Sequence, residues 1–590
     1  MMRLTLSLAL TAGTLVPTAV LGQESPTGRW DVVAAGAVGD GATDCTAIFQ
    51  ALLDGAGQAG GGVVEVPAGR FRLDGTLTVP ANVTLQGLFR WAPSMNSVAA
   101  ATGSVLCAYA GRGAPEGPAF IRLAGDNAGV AGVVIVYPEW SQNDVPPIAY
   151  PPCVASEDTL NVSIQDCMLL NPYEGIRLVR AHRHLVRNIT GYPSFRGIFV
   201  DECYDIGHVE NVHLWPFGTA YDPDNAYSKW VNTQGVAYEF ARTDWEYVSN
   251  TFCFGYGVGY RFSASEHGSA NGNFLGLGAD SCERAVLVEQ AQPPGLLITN
   301  GEFVGRWGSQ QAVCVEVGPE VEGVVSLSNC SFWGPIDRCV WMRSANGQFT
   351  ASACHFVHWD NRNVGSPALQ IDAGRALVQG CSFHQDNLDV RVGPAVESAI
   401  LTANQAPGGF RVENQAGDRT VMGLNQADPI VWTDEARGHY RIEIGANGDG
   451  RYISGFGGRE RLEAPFRWST PSSHLILPVP TGKACTVTLE GEIPIHAVAA
   501  DSGLYLEGRL LAALVAGNRL VAELPPMPDG QVRLELRCQG WCPQEVIPGS
   551  TDPRTLGILL RTVTVRATDA GDAVFGANTG QWLEAAPPAE

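Results

Sequence analysis

Three short stretches gather the side chains that could move protons: Asp201-Glu-Cys-Tyr-Asp205 with His208, Arg242-Thr-Asp-Trp-Glu246, and Ser265-Glu-His267. Each follows an apolar phrase, ending at Val200, Phe240 and Phe262 respectively. Aligned on those ends, Asp201, Asp244 and Glu266 fall at similar places in successive segments, with Glu202 and His267 beside them. Two carboxylates in differing environments can protonate a departing glycosidic oxygen while activating water or attacking carbon. If the segments are adjacent strands, carboxylates one strand apart are about 5 Å apart and those two strands apart about 10 Å. These values bracket the separations used by retaining and inverting glycosidases. The competing reading is structural, since Asp, Asn and Glu at turns accept hydrogen bonds from neighbouring backbone.

Two features add binding chemistry. Between Asp201 and Asp244 lies an insert, Trp215-Pro-Phe-Gly-Thr-Ala-Tyr-Asp-Pro-Asp-Asn-Ala-Tyr-Ser-Lys-Trp230, whose rings Trp215, Tyr227 and Trp230 suit the apolar faces of sugars. The alternative is a loop packed on its own aromatics. Just before Asp201 runs a basic series, Arg177, Arg180, His182, Arg183, His184, Arg187 and Arg196. Arg180 and Arg183 could seat a substrate anion through forked hydrogen bonds, or could only balance local acids. Arg242 and Arg261, at equivalent places on later segments, complete the substrate-binding candidates. No metal-ligand pattern is present, so no cofactor is expected; calcium would enter only if the reaction were an elimination.

These groups need a scaffold that repeats. Asn300-Gly-Glu-Phe303, Asn329-Cys-Ser-Phe332, Ala353-Cys-His-Phe356 and Gly380-Cys-Ser-Phe383 place phenylalanines 29, 24 and 27 residues apart. A second phrase alternates with the first, as in Gly175-Ile-Arg-Leu178, Gly197-Ile-Phe-Val200, Gly259-Tyr-Arg-Phe262 and Ala285-Val-Leu-Val288. A period of 20–30 residues built from two or three short alternating strands is the arithmetic of a parallel β-helix. Stacked coils would line Phe303, Phe332, Phe356 and Phe383 into a buried ladder, with Cys330, Cys354 and Cys381 as a second buried column.

Composition narrows the class. The net charge of −22 disfavours nucleic acid and anionic membrane surfaces as partners. Met1 to Gly22, with Arg3, an apolar run and Val20-Leu-Gly22, reads as a secretory signal, which predicts a secreted or periplasmic protein. Fifteen cysteines permit disulfides outside the cytoplasm, with Cys538 and Cys542 close enough in sequence for a local staple.

The opening, Asp31-Val-Val-Ala-Ala-Gly-Ala-Val-Gly-Asp-Gly-Ala-Thr-Asp44, an amphipathic helix, then Gly60-Gly-Gly-Val-Val-Glu-Val-Pro-Ala-Gly69, closely resembles that of the pectate-lyase-like superfamily. The resemblance extends to about Phe410. It implies a right-handed parallel β-helix whose open end is covered by the helix, and a family of polygalacturonase-like and rhamnogalacturonase-like glycosidases, epimerases and tailspikes. The chain lacks the Asp-Asp and His-Gly signatures of polygalacturonases and the arginine motif of pectate lyases, so the resemblance carries the fold but not the reaction.

After Phe383 the period stops. From His439 to about Ala567, strands such as Tyr440-Arg-Ile-Glu-Ile444 and Leu559-Leu-Arg-Thr-Val-Thr-Val565 predict a β-sandwich. The sequence therefore divides into a signal (1–22), a β-helix (23–410), a transition (411–438), a sandwich (439–567) and a frayed tail (568–590). It predicts an all-β, exported, carbohydrate-active enzyme whose partner is a polysaccharide or oligosaccharide. A glycoside hydrolase is expected first, a polysaccharide lyase second, and a non-catalytic glycan binder third.

Overall fold

The computed structural model describes residues 28–90, 102–215, 222, 224–307, 309–426, 430, 432–446 and 448–583. The expected signal segment lies outside the described residues, as do 216–221 and 223 of the aromatic insert. The chain divides into two compact units, Met1–Val231 with Ala237–Tyr247, and Asn232–Val236 with Val248–Glu590.

The first unit is a stack of parallel coils. One face carries the strands Pro152–Leu160, Glu174–His182 and Arg196–Asp201, in register so that Val154, Ile176 and Ile198 stand opposite one another. Those residues and the next inward row, Ser156, Leu178 and Val200, are all buried. Period-two alternation thus sends one set of side chains to the core and leaves Arg177, Phe199 and Asp201 on the outer side. A second face stacks Gly129–Ala131, the start of Ser163–Leu170, Leu185–Gly191 and His208–Leu214. The glycine that opens the second phrase is required by close approach of the backbones. A Cβ on Gly197 would stand 2.2 Å from the Ala237 carbonyl oxygen, and one on Gly175 2.4 Å from that of Gly197.

The helix Thr46–Gln58 buries Phe49, Leu52, Leu53 and Ala56 against this unit, with the Phe49 ring 5.5 Å from that of Phe71. Asp44 accepts from the Thr46 amide at 3.0 Å at the helix start, and Asp40 accepts from the amides of Ala42 and Thr43 at 2.8 Å each. Both aspartates therefore shape turns.

In the second unit the phenylalanine ladder forms as the spacing predicts. Phe303, Phe332, Phe356 and Phe383 are buried, with successive centroids 5.6, 4.9 and 4.7 Å apart. Cys330, Cys354 and Cys381 stack beside them, also buried. Preceding each pair, Asn300, Asn329, Ala353 and Gly380 all have left-handed backbone, with φ from 52° to 61°. Asparagine and glycine tolerate that conformation, and Asn329 donates to the Asn300 side chain at 2.8 Å. Ala353 adopts it with neither advantage.

Two boundaries and one cysteine pairing differ from expectation. The strands Val412–Asn414 and Thr420–Gly423 pair with Val390–Thr402, so coils continue into the expected transition. The C-terminal region is antiparallel. Its long strand Pro465–Pro478 pairs with Leu559–Leu560 near one end and with Gln531–Arg537 along the other, serving two sheets around a core that includes Tyr440, Leu475, Val487, Leu534 and Val563. The tail is not frayed through Leu583: Val574–Gly576 and Gln581–Leu583 join the sheet, with the rings of Phe575 and Trp582 5.4 Å apart. These three-residue strands are too short to show a period in sequence. All fifteen cysteines are free thiols; Cys538 lies 3.7 Å from the Ser469 hydroxyl and Cys542 faces the Asp552 carbonyl, so the expected staple is absent.

Truncating Phe332 to Ala removes a ring stacked on both sides and should cost about 3–5 kcal/mol in urea unfolding. Ala353→Asn should instead stabilise by roughly 0.5–1 kcal/mol, because asparagine accepts the left-handed backbone at lower cost.

Candidate active site

The outer face of the strands Glu174–His182, Arg196–Asp201 and Val236–Phe240 brings the first unit's charged groups together. The Ala241 amide donates to the Val200 carbonyl at 2.9 Å, which sets Phe240 beside Val200 and Glu239 beside Phe199. Glu239 and Asp201 are then diagonal neighbours on adjacent strands. A strand spacing of 4.8 Å and a rise of 3.3 Å per residue place their Cα atoms roughly 8 Å apart.

Arginines organise this floor. Arg196 reaches Glu174 through Nη2 at 2.9 Å and Glu239 through Nη1 at 3.3 Å, and its guanidinium lies 4.0 Å over the Phe199 ring. Arg177 donates to Glu174 from Nε at 2.9 Å. At the corner, the rings of Tyr173 and Phe195 stack at 4.9 Å and Trp230 stands 6.5 Å from Phe195. Asp201 Oδ1 accepts from the amides of Glu202 at 2.9 Å and Arg242 at 3.0 Å, while Oδ2 takes no hydrogen bond among the described residues. Arg242 turns its guanidinium onto Asp244 in a fork of 2.7 and 2.9 Å and lies 4.9 Å over the half-exposed Tyr204 ring. The fork with Asp244 also raises the Arg242 pKa.

The sequence-derived residues divide accordingly. Asp201, Glu202, Arg242 and Asp244 form one local cluster in the first unit. Glu202 is held by Arg180 at 3.0 Å, and Arg180 also binds Asp158 and Glu157. Arg183 pairs with Asp205 at 3.3 Å. Both arginines pair with local acids, Arg180 through its whole guanidinium and Arg183 through Nε. Tyr227 is 3% exposed and accepts a 2.9 Å hydrogen bond from Trp140, so it packs on aromatics and offers no sugar platform. Trp215 extends its strand, its amide donating to Gly191, while Trp230 lies on the helix Ala226–Gln234.

Glu266, His267 and Arg261 belong to the second unit. Glu266 is not at a solenoid strand end; it sits 88% exposed at the tip of an antiparallel hairpin formed by Ala264–Ser265 and the start of Gly268–Cys282. Its side chain is 3.5 Å from His267, and Arg261 is engaged by Glu289 at 3.0 Å. Gly268, with φ +119°, allows the reversal that the alignment by strand ends did not anticipate. Glu239, Glu174 and Arg196 were missed as a site. Their signal was a glutamate in the apolar phrase Val236-Ala-Tyr-Glu-Phe240, at the position that alternation sends outward.

The helix and first coils fall within residues 30–121, which match the family model described as rhamnogalacturonase A/epimerase, pectate lyase-like. The match covers the opening of the chain, and the coils that follow it are a parallel β-helix. Mannuronan C5-epimerase AlgE3 of Azotobacter vinelandii is 49% identical over 59 residues, covering 9% of this chain and 3% of that protein. The chain thus matches only a small part of that relative's length. Among solved structures, the N-terminal fragment of bacteriophage Phi29 gene product 12 superposes with a TM-score of 0.48 at 13% identity, covering 64% of this chain and 66% of that one. An exopolygalacturonase from Thermotoga maritima gives 0.29 at 12%, covering 67% and 91%. The family match ends before Glu174, so the chemistry of this chain has to be argued from its own floor.

Beneath the Asp201 turn lies a buried polar group. His184 Nε2 is 2.9 Å from Glu246 Oε1, both side chains being fully buried, and Thr243 donates to the other glutamate oxygen at 2.9 Å. His184 Nδ1 is 2.8 Å from the Ala181 carbonyl oxygen. Desolvation pulls the imidazole pKa down, but the Glu246 charge and Cys203 outweigh it and hold it well above the ordinary value. The pair's stabilisation is therefore fully present below about pH 6.5 and is lost as pH rises through the elevated folded value. His184→Ala leaves Glu246 buried without its partner and should cost about 3–5 kcal/mol at pH 6. The loss should shrink at alkaline pH in chemical unfolding; a pH-independent difference would show that the pair is not charged.

Proposed function

We propose that this chain is a carbohydrate-active enzyme that cleaves a glycan with acidic sugar units, by hydrolysis with Asp201 and Glu239 as the paired carboxylates. The observation that carries the reading is their outward placement on adjacent strands of one floor, beside Arg177 and Arg196. Their Cα atoms stand roughly 8 Å apart on adjacent strands, close enough for both side chains to address one glycosidic bond. Asp201 Oδ2 takes no hydrogen bond among the described residues and would face the leaving oxygen, while Glu239, buried to 7% exposure and paired with Arg196 at 3.3 Å, would be the carboxylate that activates water. Tyr173, Phe195 and Trp230 supply an aromatic edge for a neighbouring sugar. Asp244, clasped by Arg242, positions the turn that fixes Asp201. Under this reading the signal-like Met1–Gly22 directs export to the periplasm or medium.

A second reading, elimination or epimerisation through proton removal beside a uronate carboxylate, is favoured by the arginine pair on the same floor. Arg177 and Arg196 would then neutralise that carboxylate as the adjacent proton leaves.

Asp201→Asn and Glu239→Gln should each lower turnover by about 10²–10⁴-fold while leaving glycan binding nearly intact. Reducing ends, unsaturated-product absorbance and sugar composition, followed separately on uronate-containing and neutral polysaccharides, distinguish hydrolysis from elimination and epimerisation. Near-wild-type turnover in both variants on an established substrate would overturn the assignment.

A further inference from the structure

In the second unit, Arg338 opens the strand Arg338–Met342 on the row where Arg284 and Val313 precede it. Its guanidinium has no carboxylate within ion-pair distance among the described residues, and its Nε is buried without a hydrogen bond. The acids around it are engaged elsewhere. Asp337 binds Arg362, Glu316 binds Arg284 and, at 2.9 Å, Arg343, and Asp372 accepts from Trp341 at 2.7 Å and Gln370 at 2.8 Å. Four guanidiniums, of Arg284, Arg338, Arg343 and Arg362, thus face three carboxylates, of Glu316, Asp337 and Asp372. The Arg338 and Arg343 guanidiniums lie 4.9 and 4.7 Å from the Trp341 ring centroid. Burial and the nearby Arg391 charge lower the Arg338 pKa, as they would for a cation short of anions.

A guanidinium withdrawn from water without a counter-ion lowers stability, so its presence beside a cavity points to an anion supplied from outside. The cavity measures about 230 Å³, and its polar lining comprises Arg284, Gln310, Gln311, Arg338 and Arg362 with Trp341, together with Asp337, whose carboxylate is paired with Arg362. That is below the roughly 300–1,000 Å³ of drug-sized sites, a volume that suits one sugar ring better than a longer segment. The amides of Gln310 and Gln311 are donors and acceptors of the kind that hydroxyl groups require, and Trp341 supplies an apolar surface.

We propose that this cavity is a subsite for one anionic sugar unit, with Arg338 forking onto its carboxylate or sulfate and Trp341 packing on the ring. The inference rests on the reading above only in taking the ligand to be a glycan. Binding is measured by calorimetry on a Glu239→Gln background, which spares the probe, using an oligogalacturonate, a sulfated galactan oligosaccharide and a neutral glucan oligosaccharide. Arg338→Gln should weaken the anionic probe by at least about tenfold and leave the neutral one unchanged. Arg338→Lys, which keeps charge but loses the fork, should fall between. Whichever of the two anionic probes responds identifies carboxylate or sulfate as the group held. Because no carboxylate is left unpaired, the melting temperature of Arg338→Gln should equal or exceed that of the parent. Anionic binding indifferent to Arg338, or a substantial drop in melting temperature, overturns the subsite alone. Absence of any anionic binding in the parent background overturns the subsite together with the acidic-glycan reading.

Discussion

Parallel pairing between coils is the constraint from which the rest of the molecule follows. Each strand hydrogen-bonds to the equivalent strand of the next coil, so equivalent side chains stand one above another at the ~4.8 Å spacing of neighbouring strands. Like then stacks on like. Phenylalanine meets phenylalanine inside, thiol meets thiol beside it, and asparagine meets asparagine at the left-handed corners, as Asn211 does with Asn188. The apolar columns gain from this arrangement because flat rings and small thiols pack densely at that distance.

Charges cannot follow the same rule, and the chain solves this by interleaving signs. On one corner Arg180 lies between Asp158 and Glu202, and on the neighbouring floor Arg196 lies between Glu174 and Glu239. Each guanidinium spans the gap between coils and screens two carboxylates from each other. The consequence for chemistry is that carboxylates are held at fixed separations on a surface that cannot slide, since a slip of one residue would turn every core side chain outward. The Arg338 cavity departs from the pattern: there the guanidiniums outnumber the acids, and the imbalance lies next to open space.

The buried His184–Glu246 pair extends the same logic inward. A histidine under the Asp201 turn ties the strand beginning at Thr243 to the corner after His182, so the outer carboxylates rest on an ion pair shielded from water. The second unit closes differently. Its last coils are followed by antiparallel sheets that share the strand Pro465–Pro478, and this region takes its order from an apolar core rather than from a repeat.

Much of this was legible without coordinates because repetition writes itself into sequence. The spacing of Phe303, Phe332, Phe356 and Phe383 required stacked coils, the asparagines before them marked left-handed corners, and the alternating strands after His439 marked a change of architecture. The neighbourhood of Asp201, Arg242 and Asp244 was also visible, since all three follow strand ends on successive coils. Alternation determines only whether a residue points in or out. Which residue stands across from it depends on coil length, and that is settled by turns and insertions. Glu239 meets Arg196 across 43 residues and Glu174 meets it across 22, so the local pattern could mark Glu239 as outward-facing but not name its partners. For the same reason Glu266 was expected on a column and lies on a hairpin, Tyr227 was expected at the surface and is buried, and the tail expected to fray completes a sheet. The absence of a partner for Arg338 is likewise a property of the folded chain, because it depends on every nearby carboxylate having already been taken by another arginine or a tryptophan.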